Sequence, residues 1–325
     1  MQASISLCSG LRTELRGFKL LRESFKLVSR AVLFRRQTAH WLALLNSDPL
    51  FAQMLPSCPR LINKIYRQYL STRLGCDERL DALQTHYRTV IERGLAPLVA
   101  RAAAAPVTMC QLQVKDGEGE NYRIELRAGG VLSREGELIF QLMHEDRLLY
   151  SVACSFVRDG AGKALGVGCL QGTPGPGAQD GVRAATRALH GMRPKNLLMR
   201  VVRQFGHEQG CSHLLLVGNA NRVVTTSMRK GKVHADYDTL WRELGARCHA
   251  DGDFRLACEA LPALDVTEIA SKKRSEAKKR HEMIKVAVAD IDAQVRRSQR
   301  ALTALRLAPS AAGIAPPTSH LRRTA

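Results

Sequence analysis

Leu214-Leu215-Leu216-Val217 is a continuous apolar run set between turn residues, Gly210 before it and Gly218 after it. Such a run is what a strand covered on both faces requires, and strands of that kind belong to parallel pairs. A parallel pair needs a crossover connection, and the preceding sequence supplies one. Leu165 to Leu170 reads as a strand and Gly172-Thr173-Pro174-Gly175-Pro176-Gly177 as a loop. Val182 to Leu189 then reads as helical, followed by a helix from Pro194 to about Gln209 with Leu197, Leu198, Val201, Val202 and Phe205 on its apolar face and Gly210 as its stop. Strand, crossover helices and buried strand make one parallel unit.

Upstream of that unit the period is two. Cys110, Leu112 and Val114, a turn through Gly117 and Gly119, then Tyr122, Ile124 and Leu126 carry a hairpin signal. Strands from Leu138 to Met143 and from Leu148 to Val157 continue it as an antiparallel meander, joined through His144-Glu145-Asp146 and Asp159-Gly160-Ala161-Gly162. Downstream, Asp236 to Leu244 reads as a helix with Tyr237, Leu240, Trp241 and Leu244 on one side, and Phe254 to Cys258 as a last strand. The expected fold is therefore α/β in the α+β sense: a mixed, largely antiparallel central sheet with helical segments at both ends.

The first hundred residues read as helical. Leu11, Leu15, Phe18, Leu21, Phe25, Val28 and Val32 make one stripe, with Arg12, Arg16, Lys19, Arg22 and Lys26 on other faces. A stripe like this ordinarily packs on its own domain; the sharper reading is a peripheral membrane or partner-binding helix. Short helices fit Pro49 to Leu55 and Arg60 to Leu70, and Asp77 can cap a helix with Leu80, Leu83, Tyr87 and Val90 as its stripe and Gly94 as its end. Ala102 to Ala105 reads as a link. A capping-box-like Asp265-Val266-Thr267-Glu268 opens a basic C-terminal helix through Ile284, Val288, Ile291 and Val295. The divisions that follow are a helical region over 1–105, a mixed-sheet core over 106–262, a basic helix over 263–308 and a tail over 309–325 whose composition predicts disorder.

Among the 325 residues, 49 Lys and Arg stand against 30 Asp and Glu, a net charge of +19. That excess attracts polyanions: an anionic lipid surface, a phosphate-bearing small molecule, or nucleic acid. Aromatic residues are only 5% and absent from the basic Lys272-Lys273-Arg274 and Lys278-Lys279-Arg280 clusters, which counts against base stacking. Nine scattered cysteines without a C-x-x-C point to a reducing compartment. No stretch approaches the ~18 apolar residues of a membrane span, and the N-terminus lacks the order of a signal peptide. The expectation is a cytoplasmic protein, at most peripheral to the inner membrane.

Four strings occur in series: Gly168-Cys169-Leu170-Gln171-Gly172, Gly191-Met192-Arg193-Pro194-Lys195-Asn196-Leu197-Leu198, Ala235 to Gly245 (Ala-Asp-Tyr-Asp-Thr-Leu-Trp-Arg-Glu-Leu-Gly), and Ser271-Lys272-Lys273-Arg274. Their order and spacing resemble the VirK/YbjX family of Gram-negative bacteria from about Asp48 to Asp290. The resemblance implies an association with virulence and envelope stress, and no particular chemistry. Gly218 departs from the family pattern, which would place a serine before Asn219.

The order of strands and helices also looks like the acyl-CoA-dependent N-acetyltransferase fold, without its compact Gln/Arg-x-x-Gly-x-Gly loop. That likeness implies an acyl-CoA or carrier-linked donor with its phosphates at a helix start. Arg193, Lys195 and Asn196 around Pro194 fit such a start, with Gln171 and Gly172 at a strand end beside it and Asn219 at the end of the buried strand. Asp236 and Tyr237 are the candidate base and acid for acyl transfer. Each has a plainer reading: solvated cations at a helix start, a turn after a strand, an Asp that caps a helix and a Tyr on its buried face. No metal motif, P-loop or G-x-S-x-G nucleophile stands out: His207 and His213 flank Gly210 without a Cys/His array, and Gly160-Ala161-Gly162-Lys163 lacks the phosphate-loop spacing.

Overall fold

The structure is a computed structural model that describes residues 4–10, 17–115, 121–130, 132–224 and 235–307. Its centre is an eight-stranded sheet of β1 (Val107–Gln111), β2 (Tyr122–Ala128), β3 (Leu138–His144), β4 (Arg147–Asp159), β5 (Gly162–Gly172), β6 (His213–Leu216), β7 (Arg247–Cys248) and β8 (Phe254–Ala257). They lie in the order β1-β2-β3-β4-β5-β6-β8-β7. Every pairing is antiparallel except β5 with β6, which are parallel from Ala164 opposite His213 to Val167 opposite Leu216. The mixed, largely antiparallel sheet expected from the Leu214 run and the meander is the one observed. The expected hairpin turn at Gly117 and Gly119 lies outside the described residues, but its two strands pair as expected.

Two helices, α6 (Ala178–Ala188) and α7 (Pro194–Glu208), form the crossover from β5 to β6. Phe205 of α7 meets Phe140 of β3 edge-on at 5.2 Å and Phe156 of β4 at 6.0 Å. The same sheet face receives α4 (Cys76–Glu92), whose His86 stacks on Phe156 at 5.6 Å. Helices α4 and α7 end as the sequence implies: Gly94 and Gly210 take φ of +68° and +78°, which let Leu95 and Cys211 bond back to the Val90 and Gly206 carbonyls. On the opposite face a small cluster of Leu132, Ile139, Ala153 and Cys169 lies apart from the main core.

Several elements differ from the sequence expectation. Before α4 come α1 (Gly17–Leu33), α2 (Arg35–Leu45) and α3 (Pro49–Met54), and after it α5 (Ala96–Ala104). Helices α2 and α5 fall in the region expected to be helical without a stripe or cap that singles them out, and the Ala102–Ala105 stretch read as a link is the end of α5. Arg60 to Leu70 is not helical beyond two 3-10 turns, Pro59–Leu61 and Lys64–Tyr66. Tertiary partners take its main-chain groups instead: Trp41 Nε1 donates to the Leu61 and Ile62 carbonyls, and the Leu70 N–H donates to Arg134 O. After α8 (Tyr237–Glu243), the C-terminal helix α9 begins at Ser271 and runs to Leu307. Asp265 does not cap it but closes a local turn, accepting the Thr267 N–H and hydroxyl.

One hydrophobic cluster runs through all of this, from Trp41 and Phe51 through the sheet to Met283, Ile284, Ile291 and Val295 of α9. The tail 309–325 lies outside the described residues.

Candidate functional site

The strand end that drew attention in the sequence is built as follows. Parallel pairing of β5 with β6 stops at Val167, while β5 continues to Gly172 and the other chain turns away through Gly218–Asn221. The exposed edge of β5 is taken by Tyr237, whose hydroxyl accepts the Leu170 N–H at 2.8 Å and donates to Leu170 O at 2.9 Å. Burial pushes that phenol well above its ordinary value, and the Arg222 guanidinium lies 3.7 Å over the ring. A side chain thus stands where a strand neighbour would be.

Asn219 fixes the start of α8 from below. Its amide oxygen accepts the Tyr237 N–H at 2.9 Å, its amide nitrogen donates to Asp236, and its own N–H donates to Asp238. Asp236 is the N-cap of α8, accepting the Thr239 N–H and hydroxyl. Those bonds, the Thr239 hydroxyl first and Asn219 next, hold its carboxyl down at about 2. Asn219, Asp236 and Tyr237 therefore do converge, in a lock between the exit of β6 and α8. Gly218 belongs to the same packing: a Cβ there would sit 2.0 Å from Gly252 O, so the serine of the family pattern does not fit this chain.

The other sequence candidates stand apart from that lock. Arg193 is the exposed N-cap of α7, the Asn196 N–H bonds the Arg193 carbonyl, and Lys195 is drawn to Glu243 at 3.1 Å. Gln171 is exposed, and Gly172 packs under Tyr150, whose ring would lie 2.9 Å from a Cβ at that position.

A cavity that sequence reasoning missed opens elsewhere, between the 57–69 segment, Gly129 and Gly130, Ser133 and Arg134, and Glu137 just before β3, with a volume of about 410 Å³. At its floor Lys64 and Glu137 form an ion pair, both side chains under one-tenth exposed. The second Glu137 oxygen accepts the Tyr87 hydroxyl at 2.6 Å, and the Glu137 N–H donates to Ser155 Oγ, which also bonds the Tyr69 hydroxyl at 2.7 Å. Burial is the largest influence and pushes the Glu137 carboxyl up, but Lys64, His86 and the Tyr87 hydroxyl together outweigh it and hold the group below its ordinary value. Arg60, Arg67 and Arg134 line the same cavity. Lys64, Tyr69, Tyr87, Arg134 and Glu137 come from four separate segments, and only Tyr87 fell on a periodic stripe.

A second unexpected surface is α1. The ordinary reading packs its stripe on the domain, yet Leu21, Phe25, Val28 and Val32 are more than half exposed, and Leu33 with them, while Leu27 and Ala31 face the protein. These five are the large apolar side chains recorded as exposed among the described residues. Arg22, Lys26 and Arg30 flank the stripe and Arg35 and Arg36 follow it, all exposed, with Glu23 held between Arg22 and Lys26. Leu11, Leu15, Phe18, Arg12, Arg16 and Lys19 lie outside the residues whose side chains are described. Among the described residues no helix is long and apolar enough to cross a membrane.

Comparison with known proteins gives a family and little chemistry. A family model described as a protein of unknown function, DUF535, matches residues 16–293. The chain is 27% identical over 270 residues to the uncharacterised protein YbjX of Escherichia coli K12, covering 81% of each chain. It is 24% identical to an uncharacterised protein of Haemophilus influenzae, covering 84% of this chain and 90% of the other. A solved cAMP-binding acyltransferase from Mycobacterium smegmatis aligns over 72% of this chain and 65% of its own length, at 11% identity and a TM-score of 0.27, too low to carry an argument. The match over most of its length, with the four motifs in series, makes this chain a member of the DUF535 family, the family of VirK and YbjX.

Proposed function

We propose that this protein works as a peripheral protein on an anionic membrane face, held there by α1. The carrying observation is that the five large apolar side chains exposed among the described residues share this one helix and are bordered by Arg22, Lys26, Arg30, Arg35 and Arg36. An apolar stripe that enters the acyl boundary while cations stay at the headgroups is how an in-plane helix binds anionic lipid. A second copy of the chain would bring the same positive charges face to face, so charge complementarity favours lipid over self-association. Envelope stress or virulence, implied by the family resemblance, would be served from that position. An acyl-CoA-dependent transferase has less support, because Tyr237 occupies the strand edge at Leu170 and Lys195 is paired with Glu243.

The test is sedimentation with vesicles of phosphatidylcholine alone and with phosphatidylglycerol added. Binding is expected only to the anionic vesicles, weakening as salt shortens the Debye length. Leu21→Ser with Phe25→Ser removes two anchors of about 1.5–3 kcal/mol each, enough to weaken binding by roughly a hundredfold or more. Equal binding of the double variant, or indifference to lipid charge, would overturn the proposal.

A further inference from the structure

The cavity over the Lys64–Glu137 pair carries an inference independent of the membrane face. We propose that it is a binding site for a small amphipathic anion: a carboxylate, sulfonate or phosphate ester on an apolar body.

The volume of about 410 Å³ falls in the range of small-molecule sites, roughly 300–1,000 Å³. Its wall is two-natured. Half-buried Cys58 and Pro59 offer an apolar surface to pack on, backed by buried Met54, Leu61, Tyr69 and Tyr87. Lys64 and Arg134 bring positive charge to the same lining, beside the carboxylate of Glu137. That carboxylate is committed, one oxygen to Lys64 and the other to the Tyr87 hydroxyl, so a cationic ligand finds both oxygens taken while an anion meets the Arg134 guanidinium. Arg134 is fixed for such a role, since its Nη2 bonds Val223 O at 2.9 Å and the Gln68 side chain at 3.0 Å, which orients the guanidinium.

The floor argues in the same direction. A buried ion pair is costly to desolvate, and apolar residues filling the same space are often as stable or more so. Here the pair and two tyrosines line a hollow that a larger apolar side chain could fill. Stability alone gives no reason to keep both the charges and the space; a ligand does.

The probe is 8-anilino-1-naphthalenesulfonate, an aryl body with one anionic head, set against N-phenyl-1-naphthylamine, the same body without the charge. Both are titrated by fluorescence into the full chain carrying Leu21→Ser and Phe25→Ser, so that the stripe on α1 does not compete. The sulfonate is expected to saturate one site and to bind at least about ten-fold more tightly than the amine, with Arg134→Gln removing about that factor, the loss of one charge-assisted contact. Cys58 lines the cavity and reports occupancy without any change to the Arg134 site. Saturating sulfonate is expected to slow its alkylation by N-ethylmaleimide, read by peptide mass spectrometry, while exposed Cys248 reacts at an unchanged rate. Equal affinity for the two probes, or Cys58 labelling indifferent to the sulfonate, would overturn the proposal even if Arg134→Gln failed to fold.

Discussion

His86 has no solvent contact; its Nδ1 accepts the Phe156 N–H at 3.2 Å, so the neutral ring is the form the fold requires. Burial, with Glu137 opposing and Lys64 adding, takes its pKa from 6.5 down to about 4. The unfolded chain binds this proton first as pH falls, so the stability that His86 contributes is complete above about 6.5 and drains away between there and about 4. The integrated loss is on the order of 3 kcal/mol. Urea midpoints taken from pH 7 to pH 4.5 are expected to fall steeply, and His86→Phe is expected to flatten that slope while lowering the midpoint at pH 7, because the Phe156 N–H loses its acceptor. An unchanged slope in the variant would refute the assignment. Lys64 and Glu137 set up a companion case. Glu137→Gln strands a buried ammonium and is expected to cost about 3–5 kcal/mol, whereas Lys64→Met with Glu137→Leu removes both charges and is expected to recover most of it. Chemical denaturation of Lys64→Met, Glu137→Leu and the double variant measures the coupling directly.

At the scale of elements, what could be read from sequence was what repeats. The alternation in Leu138–Met143 and Leu148–Val157 and the unbroken apolar run at Leu214 are consequences of how strands are covered, and β3, β4 and β6 lie where those patterns put them. Gly94 and Gly210 were legible for a local reason, the left-handed backbone that a helix end needs. The failures have causes of a different kind. Ala102–Ala105 reads as a link because no stripe marks it, yet Ala is the strongest helix former and Pro97 suits the first turn of the helix that ends there. The 60–70 segment carries a helical period, but Trp41 and Arg134 claim its main-chain groups from twenty to more than sixty residues away, and no window of sequence contains that competition. The irregular register between β4 and β5 at Ala153 and Cys154, which lets the Glu135 carbonyl approach Gly168, is equally non-local. Site residues divide the same way. Asn219 at a strand end and Asp236 and Tyr237 at a helix start are marked by local sequence, and the structure brings the three together, while Lys64 and Glu137 are not marked, since a pair split over separate segments leaves no periodic trace. The α1 stripe shows the limit of periodicity itself: it identifies an apolar face but not which side of that face is water.

For the whole molecule, the question is whether helical ends and sheet core form one folding unit. Ser298 of α9 accepts the Leu98 N–H and donates to the Gly94 carbonyl, both at 3.1 Å, so a residue near the end of the described chain holds the start of α5. Ile291 of α9, Trp41 of α2 and Trp241 of α8 belong to the same hydrophobic cluster. The two tryptophans are the only ones in the sequence, and they report on opposite ends of that cluster. Trp41→Phe and Trp241→Phe therefore yield two single-probe proteins, one emitting from the N-terminal helices and one from beside the β5 edge. If the cluster is one cooperative unit, urea transitions followed at the two positions coincide with each other and with far-ultraviolet circular dichroism. Ile291→Asp, which buries an unpaired carboxylate 4% exposed in the parent residue, is then expected to move both midpoints down together by several kcal/mol. A shift confined to the Trp41 signal would instead mean that α9 and the N-terminal helices unfold apart from the sheet, leaving the cavity at Lys64 and the face of α1 on a separable layer.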